Sequence, residues 1–372
     1  MTNSIFQPDT SAAASQKRTR GTLRTAVAGV TGYSGAELAR ILLRHPRLTD
    51  TPPLLLGRPE EGGPTQRLTD LHPRLAGLPH ADDAVIEPWT WDLLQQESID
   101  LLLLGTPHEQ SRIWVPEALA RGIRVIDLSG AWRLADADNR AVYKFDSPAP
   151  ELAQATQAQA VYGSPELNGP AITSARLVAN PGCYATSVIL ALAPIVRAHM
   201  ADLDRGIVVD SKSGVSGAGK TPSPTTHFMY AADNLSAYAV FGHRHTGELL
   251  EQLHLTADQI QFTPHLLPIP RGILSTIYVR LTEPTTPDHL QALYEDFYRD
   301  SPTVRIRPTP TLPQIQHVVR TPFCDIGFHL DSNNPQRLIV VSCLDNLLKG
   351  AASQAVENMN LMAGWPQVEG LL

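Results

Sequence analysis

The reading turns on Thr25-Ala-Val-Ala-Gly29-Val-Thr-Gly32-Tyr-Ser-Gly35, followed by Ala36-Glu-Leu-Ala-Arg40-Ile-Leu-Leu-Arg-His45-Pro46. Residues 25–30 are small or apolar, as in a strand buried on both faces. Ser34 opens a helix in which Leu38, Ile41 and Leu42 recur at i, i+3 and i+4, and His45-Pro46 stops it. Strand, glycine turn and helix in that order begin a βαβ unit. Working outward, apolar runs at 54–56, 99–104 and 125–128 alternate with helix-compatible segments such as 109–121. That alternation predicts a doubly wound, Rossmann-like parallel sheet covered by helices on both faces.

Beyond Cys183 the pattern changes. A long helix is expected over 184–199, then strands near 206–210, 261–262, 273–281 and 338–343. Ile277, Val279 and Leu281 alternate with Tyr278 and Arg280, the signature of a half-buried strand. A central α+β domain with a mixed or antiparallel sheet follows. Residues 348–363 place Ala352, Ala355, Val356 and Met359 at helical spacing, a terminal helix expected to return to the first domain. The proline-rich stretch 302–313 reads as a surface connection. The expected division is a disordered polar tail (1–24), a dinucleotide-binding domain (25–182 with 344–372) and a catalytic and oligomerisation domain (183–343).

Composition narrows the function classes. With 372 residues, 42% hydrophobic and 18% charged, the chain has enough apolar material for two cores. No apolar run approaches the roughly 20 residues that span a bilayer. A net charge of −7 with interspersed signs offers no basic face for nucleic acid. Cys183, Cys324 and Cys343 are too few and too scattered for a disulfide framework or paired zinc ligands, which points to a reducing cytoplasm. The start of the chain lacks the charged-then-apolar order of a secretory signal.

Several segments carry chemistry. Gly29, Thr31, Gly32, Tyr33, Ser34 and Gly35 lie between a buried strand and a helix amino terminus, where free N–H groups attract a pyrophosphate. A plain tight turn uses glycines too; the strand–helix context favours the cofactor. The next strand ends Gly57-Arg58, and a guanidinium there suits the 2′-phosphate of NADP better than the ribose of NAD. In Asn180-Pro-Gly-Cys183-Tyr-Ala-Thr186, the thiol falls at a helix start, where the dipole lowers its pKa and favours a nucleophile over an inert core cysteine. Gly242-His243-Arg-His245-Thr-Gly-Glu248 supplies candidate proton carriers, with no further ligand to make a metal site. Arg133, beyond the end of a parallel strand, suits a phosphate or carboxylate. Asp210-Ser-Lys212-Ser-Gly-Val-Ser216-Gly217-Ala-Gly-Lys220 is rich in small residues and donors, as in an anion-cradling loop or equally a flexible surface turn; on the first reading Lys212 is expected at substrate and Ser216 and Gly217 at the cofactor. Asn346 either bonds a nicotinamide carboxamide or caps the last helix.

Taken together, GVTGYSG, DLSGAWRL, VYGSPELN, NPGCYAT, DSKSGVSGAGK, HRHTGE, HLLPIPRGILSTIY and DNLLKGAA resemble the N-acetyl-γ-glutamyl-phosphate reductases of arginine biosynthesis, from about Thr25 to Gly364. The aspartate-semialdehyde dehydrogenases are a looser likeness. The resemblance implies Cys183 as nucleophile, His245 as acid and base, His243 and Arg271 near substrate, Arg133 towards phosphate, NADPH as reductant, an acyl phosphate as small-molecule substrate, and a homo-oligomer, dimer or tetramer. Glu109 and Gly247 depart from the family's usual Gly and Pro, and the tail is longer. Rival readings are a reductase of a carrier-protein-linked aminoadipyl or glutamyl phosphate, which would call for a basic entrance, and a catalytically silent NADP-binding regulator, which the joint presence of Cys183 and His245 disfavours.

Overall fold

The computed structural model describes residues 22–57, 66–145 and 149–372. The expectation for the tail therefore falls almost wholly outside the described residues, and that for Arg58 does so entirely.

Eight strands form the first sheet: β1 (Thr25–Ala28), β2 (Leu54–Gly57), β3 (Gln66–Arg67), β4 (Val85–Pro88), β5 (Leu101–Leu104), β6 (Arg124–Asp127), β7 (Ala160–Tyr162) and β8 (Leu177–Ala179). Their order is β3-β4-β2-β1-β5-β6-β8-β7, parallel throughout except for the edge pair β3–β4. Order reverses between β2–β1 and β5, the switch point at which such sheets open a ligand crevice at their carboxyl ends. All four residues of β1 and of β5 are buried, so neither strand shows alternation. One face packs on Leu38, Leu42 and the terminal helix Ser353–Ala363, through Val356, Met359 and Met362. The other face packs on Trp114, Val115 and Leu119 of the helix His108–Ala120.

Seven further strands form the second sheet: β9 (Ile207–Gly214), β10 (Ser236–Ala237), β11 (Ile260–Leu267), β12 (Ile273–Arg280), β13 (Val304–Ile306), β14 (Cys324–Leu330) and β15 (Arg337–Leu344). Their order is β10-β11-β9-β12-β15-β14-β13, a mixed sheet with parallel pairs β11–β9 and β14–β13. One face is covered by the helix Cys183–Arg197, whose Val188, Leu192 and Ile195 join Val209, Ile277 and Val340 in the core. β13 corrects the reading of 302–313 as mere connection. Its three residues contain no proline and pair on the sheet edge, where flanking prolines leave no ladder bond unmade.

Candidate active site

Glycines at the β1 turn have separable reasons. Gly29 has φ +86°, and a Cβ there would meet the Gly105 carbonyl; one at Gly35 would meet the Gly29 carbonyl. Gly32 meets nothing nearer than 3.5 Å, so packing does not demand it, and the turn leaves room there for a ligand to approach the backbone. Thr31 and Tyr33 line a groove of about 700 Å³ shared with Ser216, Lys220 and Arg271. A dinucleotide pyrophosphate fits this turn, beside the amino terminus of the helix Tyr33–Leu42.

Arg271 lies in that groove and not in the cavity at Cys183. It bonds Glu37 at 3.1 Å and faces Asp345 at 3.2 Å, while its Nη2 has no hydrogen-bond partner among the described residues. Burial would raise the Glu37 carboxyl pKa, but Arg271, with Arg40 and Arg74, holds it below the ordinary range. Glu37, buried on the first helix, thus holds Arg271 on the glycine-turn groove and away from the lining of the Cys183 cavity, where the sequence reading would put it.

Cys183 is the first residue of the helix Cys183–Arg197, with Gly182 as its cap. Hydroxyls seat that helix on the second sheet: Ser187 Oγ lies 2.9 Å from Ser275 Oγ and 3.1 Å from Ser342 Oγ. The half-buried thiol opens on a cavity of about 320 Å³, lined also by Tyr184, Ser213, Tyr238, His243, Arg244 and His245. His245 lies against the Gly182 α-carbon; a Cβ there would come within 2.5 Å of its Nε2. Its backbone N–H donates to His243 Nδ1 at 3.1 Å, and the two rings are 4.6 Å apart, edge to face. Burial lowers both imidazole pKa values, to about 4 for His243 and well below the ordinary imidazole range for His245. Burial likewise pushes the Cys183 thiol up to about 11, against the Tyr184 N–H and the charges of Arg133 and Arg244. Against the expectation of an acidified thiol, desolvation in the free protein outweighs the Tyr184 N–H and the two arginines and raises the thiol pKa.

Arg133 is held by protein acceptors at each of its three nitrogens. Its Nε donates to the Asn180 carbonyl at 2.7 Å, Nη2 to the Leu128 carbonyl at 2.7 Å, and Nη1 to Glu248 at 3.1 Å. Glu248 also accepts the Gly182 N–H at 2.9 Å and the Tyr162 hydroxyl at 2.7 Å. Arg133 and Glu248 thus clamp the turn before Cys183 to the histidine segment. Lys212 pairs with Asp210 at 2.5 Å and does not line the cavity. Asn346 donates to Ser216 Oγ at 2.9 Å and accepts the Gly272 N–H at 2.8 Å, while its neighbour Asp345 caps the last helix through Leu347 N–H at 2.8 Å. The single turn Val215–Ala218 divides the two spaces: Ser216 faces the groove, Gly217 and Ala218 the cavity.

Comparison with known proteins adds the family. Residues 24–175 match the NAD binding domain of semialdehyde dehydrogenases and residues 183–346 their dimerisation domain. N-acetyl-gamma-glutamyl-phosphate reductases of Syntrophobacter fumaroxidans and Geobacter sulfurreducens are each 42% identical, over 94% of this chain and 98% of theirs. That of Dehalococcoides mccartyi strain 195 is 41% identical over 94% of this chain and 97% of its own. The chain belongs to the N-acetyl-γ-glutamyl-phosphate reductase family. Among solved structures, aspartate semialdehyde dehydrogenase II of Vibrio cholerae superposes with TM-score 0.67 at 18% identity, covering 92% of this chain and 98% of its own, a likeness of fold.

Against this reductase family, three residues of the site escaped sequence reasoning. Glu248 closes a quoted motif, yet nothing local says that it binds Arg133, 115 positions away. Glu37 reads as an ordinary helix-surface acid. Gly350 packs so closely that a Cβ would come within 2.7 Å of Cys183 Cβ, and only the π-helical turn Leu348–Ala352 brings it there.

Proposed function

We propose that the chain reduces N-acetyl-γ-glutamyl phosphate to N-acetylglutamate 5-semialdehyde with NADPH, releasing phosphate, through a thioester on Cys183. The observation that carries this is the thin partition at Val215–Ala218, which sets the Cys183–His245 cavity directly beside the groove of the glycine turn. Residues 25–182 with 344–372 hold the dinucleotide, and 183–343 hold the acyl group. His245 takes the thiol proton as sulfur bonds the acyl carbon and the carbon–oxygen bond to phosphate breaks. NADPH, when bound, supplies the hydride that reduces the thioester carbonyl carbon. The Tyr184 N–H, which already reaches the thiol, lies where an oxyanion forms. His245 then protonates that oxygen, and takes the proton back as the carbon–sulfur bond breaks and the aldehyde departs. His243, whose Nδ1 accepts the His245 N–H, sets the orientation of that loop. Gly29, Thr31, Gly32, Tyr33, Ser34 and Gly35 cradle the pyrophosphate, with Ser216, Gly217 and Asn346 at the nicotinamide end.

The chain pairs with itself through the outer face of the second sheet, where Val208, Tyr278 and Ile339 lie exposed on β9, β12 and β15. Three unpaired thiols, one of them the proposed nucleophile, support a reducing cytoplasm as its compartment. The test is phosphate-dependent reduction of NADP with N-acetylglutamate semialdehyde. Turnover with that aldehyde well above that with aspartate semialdehyde is expected; the reverse order overturns the substrate assignment.

A further inference from the structure

Arg133, which sequence alone points towards the leaving phosphate, is buried and donates from each of its three nitrogens to a protein acceptor. The lining of the Cys183 cavity includes a single permanent cation among the described residues, Arg244, between the two histidines in sequence. Its side chain has no carboxylate partner within 4 Å among the described residues; it lies against His108, whose Nε2 is 2.8 Å from Arg244 Nη1. That contact is unusual. The Gly130 N–H donates to His108 Nδ1 at 2.9 Å, so Nδ1 is an acceptor and the proton of the neutral ring sits on Nε2. Nε2–H and Nη1–H are then two donors facing one another with no acceptor between them. Protonating the ring does not relieve this, because Nε2 remains a donor beside a positive charge. An oxygen of an anion accepts from both at once.

We propose that Arg244 and His108 form the site for the phosphoryl group of the acyl phosphate, joining the first domain to the second across the mouth of the Cys183 cavity. The inference rests on the acyl-phosphate reading above. His108 begins the helix after β5 at the carboxyl edge of the parallel sheet, and Arg244 comes from the histidine loop, so a bound phosphoryl group ties the two domains together at the moment sulfur attacks. A dianion suits the pair better than a carboxylate does, since one oxygen bridges the two donors while another takes the second guanidinium edge. The same chemistry serves inorganic phosphate in the reverse direction.

The experiment uses the full chain in the aldehyde-oxidising direction, with N-acetylglutamate semialdehyde, NADP and inorganic phosphate, on Arg244→Gln, Arg244→Lys and His108→Ala. The expected result is a KM for phosphate raised about 10- to 100-fold in Arg244→Gln and about 3- to 10-fold in His108→Ala, with partial recovery in Arg244→Lys. The KM for the semialdehyde should stay within about twofold in all three. Independently, inorganic phosphate alone should slow alkylation of Cys183 by iodoacetamide in the unsubstituted protein and not in Arg244→Gln. An unchanged phosphate KM in either Arg244→Gln or His108→Ala overturns the proposal, as does a rise confined to the semialdehyde KM, which would make Arg244 a carboxylate site. If the unsubstituted chain fails to turn over, the functional reading falls, and the alkylation arm still decides the anion site.

Discussion

At Cys183 burial and charge act in opposite directions on one sulfur. Burial carries its pKa to about 11, while the Tyr184 N–H and the two nearby arginines pull the other way. Alkylation of the free protein at this residue should therefore keep rising with pH towards about 11; a plateau below pH 8 would show a preformed thiolate–imidazolium pair. Cys324, pushed by burial up to about 12 within β14, and the buried Cys343 should stay unmodified under native conditions. Cys183→Ser is expected to abolish turnover while leaving the fold and dinucleotide binding intact, because a hydroxyl is a far weaker nucleophile at any accessible pH. His245→Asn should lose more activity than His243→Asn. Equal losses, or the opposite order, exchange the two roles.

Elements, not isolated residues, place the thiol. The helix Cys183–Arg197 is fixed to the second sheet by Ser187, and its cap is fixed to the first domain by Arg133 and Glu248. Both clamp side chains are almost wholly inaccessible. Breaking such a pair from one side leaves an uncompensated buried charge and costs about 3–5 kcal/mol. Glu248→Gln should therefore lower the urea midpoint by a corresponding amount and reduce turnover together with it. Gly350→Ala tests the opposite surface of the cysteine. The added methyl lands 2.7 Å from Cys183 Cβ, so the sulfur must shift. A fall in kcat of about 10- to 100-fold, with NADPH affinity unaltered, is the expected signature of displaced geometry. Normal kcat in a folded Gly350→Ala protein would show that the π-helical turn yields instead.

Over the whole molecule, the last helix ties the two sheets through a buried cluster. Lys349 Nζ bonds Glu166 at 2.5 Å, Glu357 at 2.8 Å and Thr303 at 2.8 Å, all three charged side chains having no accessible surface. Burial raises the Glu357 pKa even with Lys349 beside it. Lys349→Met removes the cation and leaves two buried carboxylates, at a cost of about 3–5 kcal/mol at neutral pH. Carboxyls whose folded pKa is raised contribute most below their unfolded pKa of about 4.5 and lose that contribution as pH rises through the folded value. The deficit of the variant should thus shrink as pH falls from 7 to 5; a deficit independent of pH would mean that lost packing and not charge is responsible. On the outer face of the second sheet, Tyr278→Glu should reduce the sedimenting species towards the monomer if that face pairs two copies.

The doubly wound half of the fold was legible because its strands are buried on both sides and its helices are periodic, both local properties of sequence. Residues 25–35, 101–104 and 183 carry their meaning in their neighbours. The edge strand β13 was not legible, since Val304–Ile306 is too short to show a period and is a strand only because β14 lies beside it. Neither was the fate of Arg133, whose chemistry suits an anion and whose acceptors arrive from 128, 180 and 248. The thiol pKa reversed for the same reason. A dipole is read from the helix that follows Cys183, whereas desolvation comes from Gly350, His245 and Tyr238, which only the tertiary structure brings to it. Sequence determined which groups are present and what each does alone; folding decided which of them meet, and buried electrostatics depend on the meeting.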